Sequence, residues 1–83
     1  YNLGVALQSK GDLDGAIEQY RTLVAKRQDY TVGYYALGEA LAQKGQRQEA
    51  VKLFREYLNR EQDAPDTHQR IEQARTRLKE LEG

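Results

Sequence analysis

Residues 1–30 recur at 35–64. Shifting the chain by 34 positions lays Tyr1, Leu3, Gly4, Ala6, Leu7, Lys10 and Gly11 on Tyr35, Leu37, Gly38, Ala40, Leu41, Lys44 and Gly45. The same shift carries Ala16 onto Ala50, Arg21 onto Arg55, and Gln28 and Asp29 onto Gln62 and Asp63. Eleven of the thirty pairs are therefore identical, and Ile17/Val51, Tyr20/Phe54, Val24/Leu58 and Lys26/Arg60 keep their character. A unit this short cannot bury its apolar face alone. A fixed period of this size therefore implies stacked helical units that share one core.

Punctuation divides the chain into about five helices. The first covers residues 1–10, with Leu3, Ala6 and Leu7 on one face and Gly11 as a left-handed stop. Asp12 is a good N-cap for the second, which carries Leu13, Ala16, Ile17, Tyr20, Leu23 and Val24 at helical spacing and ends near Arg27. Residues 31–44 form the third, with Tyr34, Leu37, Gly38 and Leu41 inward and Gly45 as its stop. The fourth, 47–60, buries Ala50, Val51, Phe54, Tyr57 and Leu58, behind the weaker cap Gln46. Gly4 and Gly38 sit mid-helix, where glycine costs about 1 kcal/mol relative to alanine. Close helix approach explains that cost, and Ala16 and Ala50 are the small residues expected to face the glycines.

After Asp63 the pattern changes. Pro65 suits the first turn of a new helix, Asp63 or Asp66 can cap it, and Asp66 with Gln69 reads as a capping box. Ile71, Ala74, Leu78 and Leu81 then form one narrow apolar seam on an otherwise charged segment. A helix apolar on one side only lets an array end in water.

The residues around Leu37-Gly38, Ala50-x3-Phe54 and Ala16-x3-Tyr20 resemble the tetratricopeptide repeat pattern across residues 1–64. Residues 65–83 are similar to that family's C-terminal solvating helix. Tyr34 stands where the family has tryptophan, and Leu41 replaces its tyrosine. The later family alanine is Leu23 and Tyr57 here, and Gln28 and Gln62 replace the closing proline. The resemblance implies an all-α fold, a right-handed superhelical solenoid of antiparallel helix pairs. It also implies one domain over 1–83, made of a first repeat (1–30), a second (31–64) and a cap (65–83).

It further implies a non-catalytic module that binds a protein or peptide on its concave face. The positions concerned are Asn2, Val5, Gln8 and Ser9, then Val32, Tyr35, Ala36, Glu39 and Gln43, then Gln69, Arg70, Gln73 and Arg77. Tyr35 suits an apolar side chain, Asn2 and Gln73 suit a peptide backbone, and Arg70 and Arg77 suit a carboxylate. The plainer reading is a solvated face, with Glu39 neutralising an arginine across the groove. A subset of the family clamps the C-terminal carboxylate of heat-shock chaperones with lysine and asparagine. Only Asn2 resembles that set, because Val5, Val32 and Ala36 stand where polar clamp residues belong.

Composition removes other classes. Thirteen basic residues cancel thirteen acidic ones, so no field steers the chain to nucleic acid or to an anionic membrane surface. Of the six tyrosines, Tyr20, Tyr34 and Tyr57 are claimed by the core, and Tyr1, Tyr30 and Tyr35 are too scattered for base stacking. With one serine (Ser9), one histidine (His68) and no cysteine, neither a nucleophile with its base nor a metal or cofactor site is expected. Asp12-Leu13-Asp14-Gly15 superficially resembles a calcium loop, but the position of its closing acid is Leu23. The absence of a long apolar run or charged leader points to a soluble protein, cytoplasmic by default with the periplasm left open. The chain starts inside a repeat, so it is expected to be part of something longer. Leu3, Val5 and Leu7 on the outer side of the first helix suggest the alternative role, a structural terminal cap or a self-associating edge that forms a homo-oligomer.

Overall fold

The computed structural model describes residues 2–27 and 29–82, with the Asn2 side chain left aside. It contains α1 (Asn2–Ser9), α2 (Leu13–Lys26), α3 (Thr31–Lys44), α4 (Arg47–Arg60) and α5 (His68–Glu82), and no strand among the described residues. Each helix packs mainly on its neighbours in sequence, so α1/α2 and α3/α4 form hairpins and α5 closes the row against α4.

Both hairpin turns have the same form. Gly11 (φ 88°) and Gly45 (φ 90°) are left-handed, a conformation that costs glycine nothing. The next amide then reaches back five residues, Asp12 N–H to the Leu7 carbonyl at 2.8 Å and Gln46 N–H to the Leu41 carbonyl at 2.9 Å. This double stop satisfies carbonyls that the helix end would otherwise leave unpaired. At the following helix start the two repeats diverge. Asp12 Oδ1 accepts from the Gly15 amide at 3.0 Å, whereas Gln46 makes no side-chain cap, as the residue types predict.

Both glycines give room to a neighbouring helix, Gly4 more strictly than Gly38, but their partners differ from the expectation. A Cβ at Gly4 would fall 2.8 Å from Tyr20 Cζ, and one at Gly38 would fall 3.1 Å from the Phe54 ring. The side chain that fills each gap is thus the aromatic one helical turn beyond the alanine, not the alanine itself. Ala16 and Ala50 are fully buried in the core, but the nesting is ring on glycine rather than small on small. An aromatic there gains far more buried area than a methyl, which offsets the helix cost of glycine.

The middle helix is enclosed by α2 and α4. Gly33, Tyr34, Ala36, Leu37, Gly38, Ala40 and Leu41 are all buried. Ala36, expected on the concave face, is therefore part of the core, and the face of α3 narrows to the row Thr31, Tyr35, Glu39 and Gln43. Arg60 lies over the Tyr34 ring at 4.9 Å and covers it with a guanidinium.

Val51 and Leu58 are half-buried at the edges of the α4 stripe, while Ile71 and Ala74 of α5 join the core and Leu78 and Leu81 pack against it. The entry to α5 corrects a second expectation. The Thr67 and His68 amides both donate to the Ala64 carbonyl, at 3.0 and 2.8 Å, so residues 65–67 form a turn ahead of α5, and the residue next to the helix start is Thr67, not Asp66. The Thr67 hydroxyl accepts from the Ala64 amide at 2.9 Å and donates to the Gln62 carbonyl at 2.6 Å. Asp63 instead faces His68 Nδ1 at 3.1 Å.

Candidate functional site

Four residues of α3, each one turn from the next, point to the same side, and each is met by a side chain from another element. Thr31 donates to Glu61 at 2.8 Å, and Glu61 in turn lies 3.8 Å from Arg70 of α5. Tyr35 donates to Gln73 Oε1 at 3.2 Å. Glu39 holds the Arg77 guanidinium through two nitrogens, Nε at 2.9 Å and Nη2 at 3.2 Å. Gln43 accepts from Gln8 of α1 at 2.9 Å, and Gln8 also accepts from the Tyr20 hydroxyl at 3.0 Å. The helical period explains the regularity, because residues i and i+4 share a face and so meet the α5 row Arg70, Gln73, Arg77 rung by rung.

Six of the nine predicted site residues are therefore brought together in this ladder by direct bonds: Gln8 with Gln43, Tyr35 with Gln73, and Glu39 with Arg77. Arg70 sits at its upper end, turned toward Glu61 and Tyr57 rather than into the same space as Arg77. Val5 is exposed on α1 but makes no rung. The Asn2 side chain lies outside the described residues, as do the Tyr1 start of the first helix and Gln28. Ser9 and Gln69 are exposed and Val32 is half-buried.

Between α3 and α5 the ladder encloses a groove of about 590 Å³. Tyr35 and Glu39 form one wall, and Glu72, Gln73, Thr76 and Arg77 form much of the other. The Tyr35 ring is held in place by edge-on contacts with Phe54 (5.7 Å) and Tyr57 (5.5 Å). Its orientation is therefore set by the core.

Two groups depart from their ordinary values. The hydrogen bond from Arg77 to Glu39 and the attraction between their charges push the Arg77 guanidinium above its ordinary range. Burial, reinforced by the negative charge of Glu61, pushes the Tyr57 phenol up to about 12, with Arg70 pulling the other way. The Tyr57 hydroxyl is buried without a hydrogen-bond partner among the described residues. Sequence reasoning missed both Glu61, which ties Thr31 to Arg70, and this hydroxyl. Glu61 follows the last residue of α4 and bears no periodic signature.

Among the described residues no group of acidic or histidine side chains is placed to hold a metal ion, and no helix is long and apolar enough to cross a membrane. No curated protein compared with the chain matches it. Two family models do. One, described as a TPR repeat, matches residues 4–45, and the other, described as a tetratricopeptide repeat, matches residues 33–63. The first takes in the α1/α2 hairpin and α3, and the second takes in nearly all of α3 and α4, the segments in which ring-on-glycine packing recurs. The chain belongs to the tetratricopeptide repeat family.

Proposed function

We propose that this chain binds a segment of a partner protein along the face shared by α1, α3 and α5. Tetratricopeptide repeats are generally non-catalytic protein–protein interaction modules that bind proteins or peptides. The observation that carries the finer assignment is the groove between α3 and α5, where core-fixed Tyr35 stands among polar side chains from two helices. Its rungs are partly exposed: the Arg77 side chain is 47% exposed and the Glu39 side chain 21%, with Glu39 Oε1 itself buried. A partner group that takes the place of Arg77 therefore has to bring a donor for that oxygen. Residues 1–83 act as one unit in this reading, with 1–30 and 31–64 as the repeats and 65–83 as the cap. Within it Asn2, Val5, Gln8, Tyr35, Glu39, Gln43, Arg70, Gln73 and Arg77 contact the partner.

The test is selection of random displayed peptides on the immobilised chain, followed by two blocking variants. Gln73→Trp fills the groove, while Lys52→Trp places the same bulk on the exposed side of α4. Selected peptides should lose at least about tenfold in affinity to the first, the loss of one well-formed contact region, and keep affinity for the second. Loss on Lys52→Trp alone refutes the assignment.

A second reading, self-association, is favoured by one feature. Leu3 and Val5 are 56% and 39% exposed, whereas Leu37, the repeat counterpart of Leu3, is 2% exposed. An α1 edge of this kind buries apolar area when it meets another helix. Sedimentation equilibrium should then show association that Leu3→Glu abolishes, and a monomer at every concentration removes this reading.

A further inference from the structure

Resting on the concave-face assignment above, we propose that the α3–α5 groove takes a protein segment presenting an arginine or lysine side chain, not a carboxylate.

Charge is the first reason. Glu39, Glu72 and Glu80 line the groove with Arg77, and Arg75, outside the lining, pairs with Glu72 at 3.0 Å, so three carboxylates stand against two guanidiniums. A partner carboxylate entering here meets an excess of like charge, whereas a cation meets a complementary one.

The second reason is that Arg77 is already committed. It lies on Glu39 through Nε and Nη2 at 2.9 and 3.2 Å, and Glu80 stands 3.8 Å from its Nη1. Arg70, the other arginine on this side of α5, faces Glu61. The two side chains that look from the sequence like a carboxylate clamp are therefore each matched to an acid of the chain itself. What Arg77 displays is the reverse arrangement, a guanidinium seated in a carboxylate-lined groove. It is a built-in copy of the ligand.

Tyr35 supplies the third reason. Its ring is held by Phe54 and Tyr57 and borders the same space. An aromatic wall attracts a cation through its electron-rich face, and the chain uses that contact elsewhere, with Arg60 over Tyr34.

The two roles for Arg77 predict opposite signs. If it grips a partner's carboxylate, removing its charge weakens binding. If it occupies a cation's place, removing its charge frees Glu39 and strengthens binding. The experiment uses the whole chain, isotopically labelled, titrated with two end-blocked hexapeptides that are identical except that one carries two arginines and the other two glutamates.

The arginine peptide should move the amide signals of Tyr35, Glu39, Gln73 and Thr76, and the glutamate peptide should leave them in place. Arg77→Gln should tighten the arginine peptide by about threefold or more, and Glu72→Gln with Glu80→Gln should loosen it about fivefold, the scale expected for partly screened charges. The amide spectrum of each variant verifies that it remains folded.

If the glutamate peptide moves these amides, or Arg77→Gln weakens the arginine peptide, the inference is overturned while the concave-face assignment stands. The same holds if neither peptide moves any signal up to millimolar concentration. If the arginine peptide moves only residues on the outer sides of α2 and α4, both fall.

Discussion

Gly4 and Gly38 occupy equivalent places, yet they do not tolerate a methyl group equally. The space at Gly4 is tighter, because the Tyr20 ring is pinned by its hydroxyl to Gln8 while Phe54 has no such tether. Gly4→Ala should cost on the order of 1–3 kcal/mol through overpacking, even after the gain in helix propensity. Gly38→Ala should lie within about 1 kcal/mol of the parent, since a few tenths of an ångström of ring movement relieves it. Urea unfolding followed by helical circular dichroism gives both values, and the reverse order contradicts the packing described. Tyr57 yields a second prediction. Its buried hydroxyl has no hydrogen-bond partner among the described residues, so Tyr57→Phe should leave stability at neutral pH unchanged or raise it by up to about 1 kcal/mol. The phenol is harder to ionise in the folded chain than in the unfolded one. Its contribution is present below pH 10 and is lost as pH rises from 10 towards 12. The parent should therefore lose stability across that window more steeply than Tyr57→Phe in parallel melts. Equal slopes would show that this phenol does not feel the burial described.

Helix boundaries were legible because they depend on single residues with strong local preferences. The left-handed glycines at 11 and 45 and the cap at Asp12 each read directly from the chain. What faces what was less legible. Periodicity locates an apolar stripe but does not say which member of it fills a gap on the next helix, so alanine was expected where Tyr20 and Phe54 sit. Ala36 was misplaced for a related reason: a helix enclosed on two sides buries positions that a one-sided amphipathic pattern assigns to the surface. The Thr67 bond to Ala64 carries no capping signature, because it runs back from the residue before α5 into the turn that leads to it rather than forward to a helix amide. Asp12→Ala should cost about 1 kcal/mol, and Gln46→Ala only a few tenths, because only the first loses a bond to a helix amide. Thermal melts of the two variants decide this, and equal losses would remove the distinction between the caps.

At the scale of the whole molecule, the polar ladder joins helices that touch little through their backbones. α1 meets α3 through Gln8 and Gln43, and α3 meets α5 through Tyr35–Gln73 and Glu39–Arg77. The residues of this face were largely identifiable from the family pattern. Their pairing was not, since it depends on rotamers of long polar side chains that many sequences share. The outer side is tied separately, by Arg21 to Glu49 at 2.6 Å between α2 and α4 and by an ion pair from Arg55 to Glu82. The two sides therefore differ: one is braced by scattered exposed pairs, and the other is an ordered row beside a groove. The most direct test of the account attaches a paramagnetic label to a peptide selected on the chain and records which amide signals it broadens. Broadening centred on Tyr35, Glu39, Gln73 and Arg77, extending to Gln8 and Gln43, is the predicted result. Broadening confined to the exposed residues of α2 and α4, with those six unaffected, would contradict it.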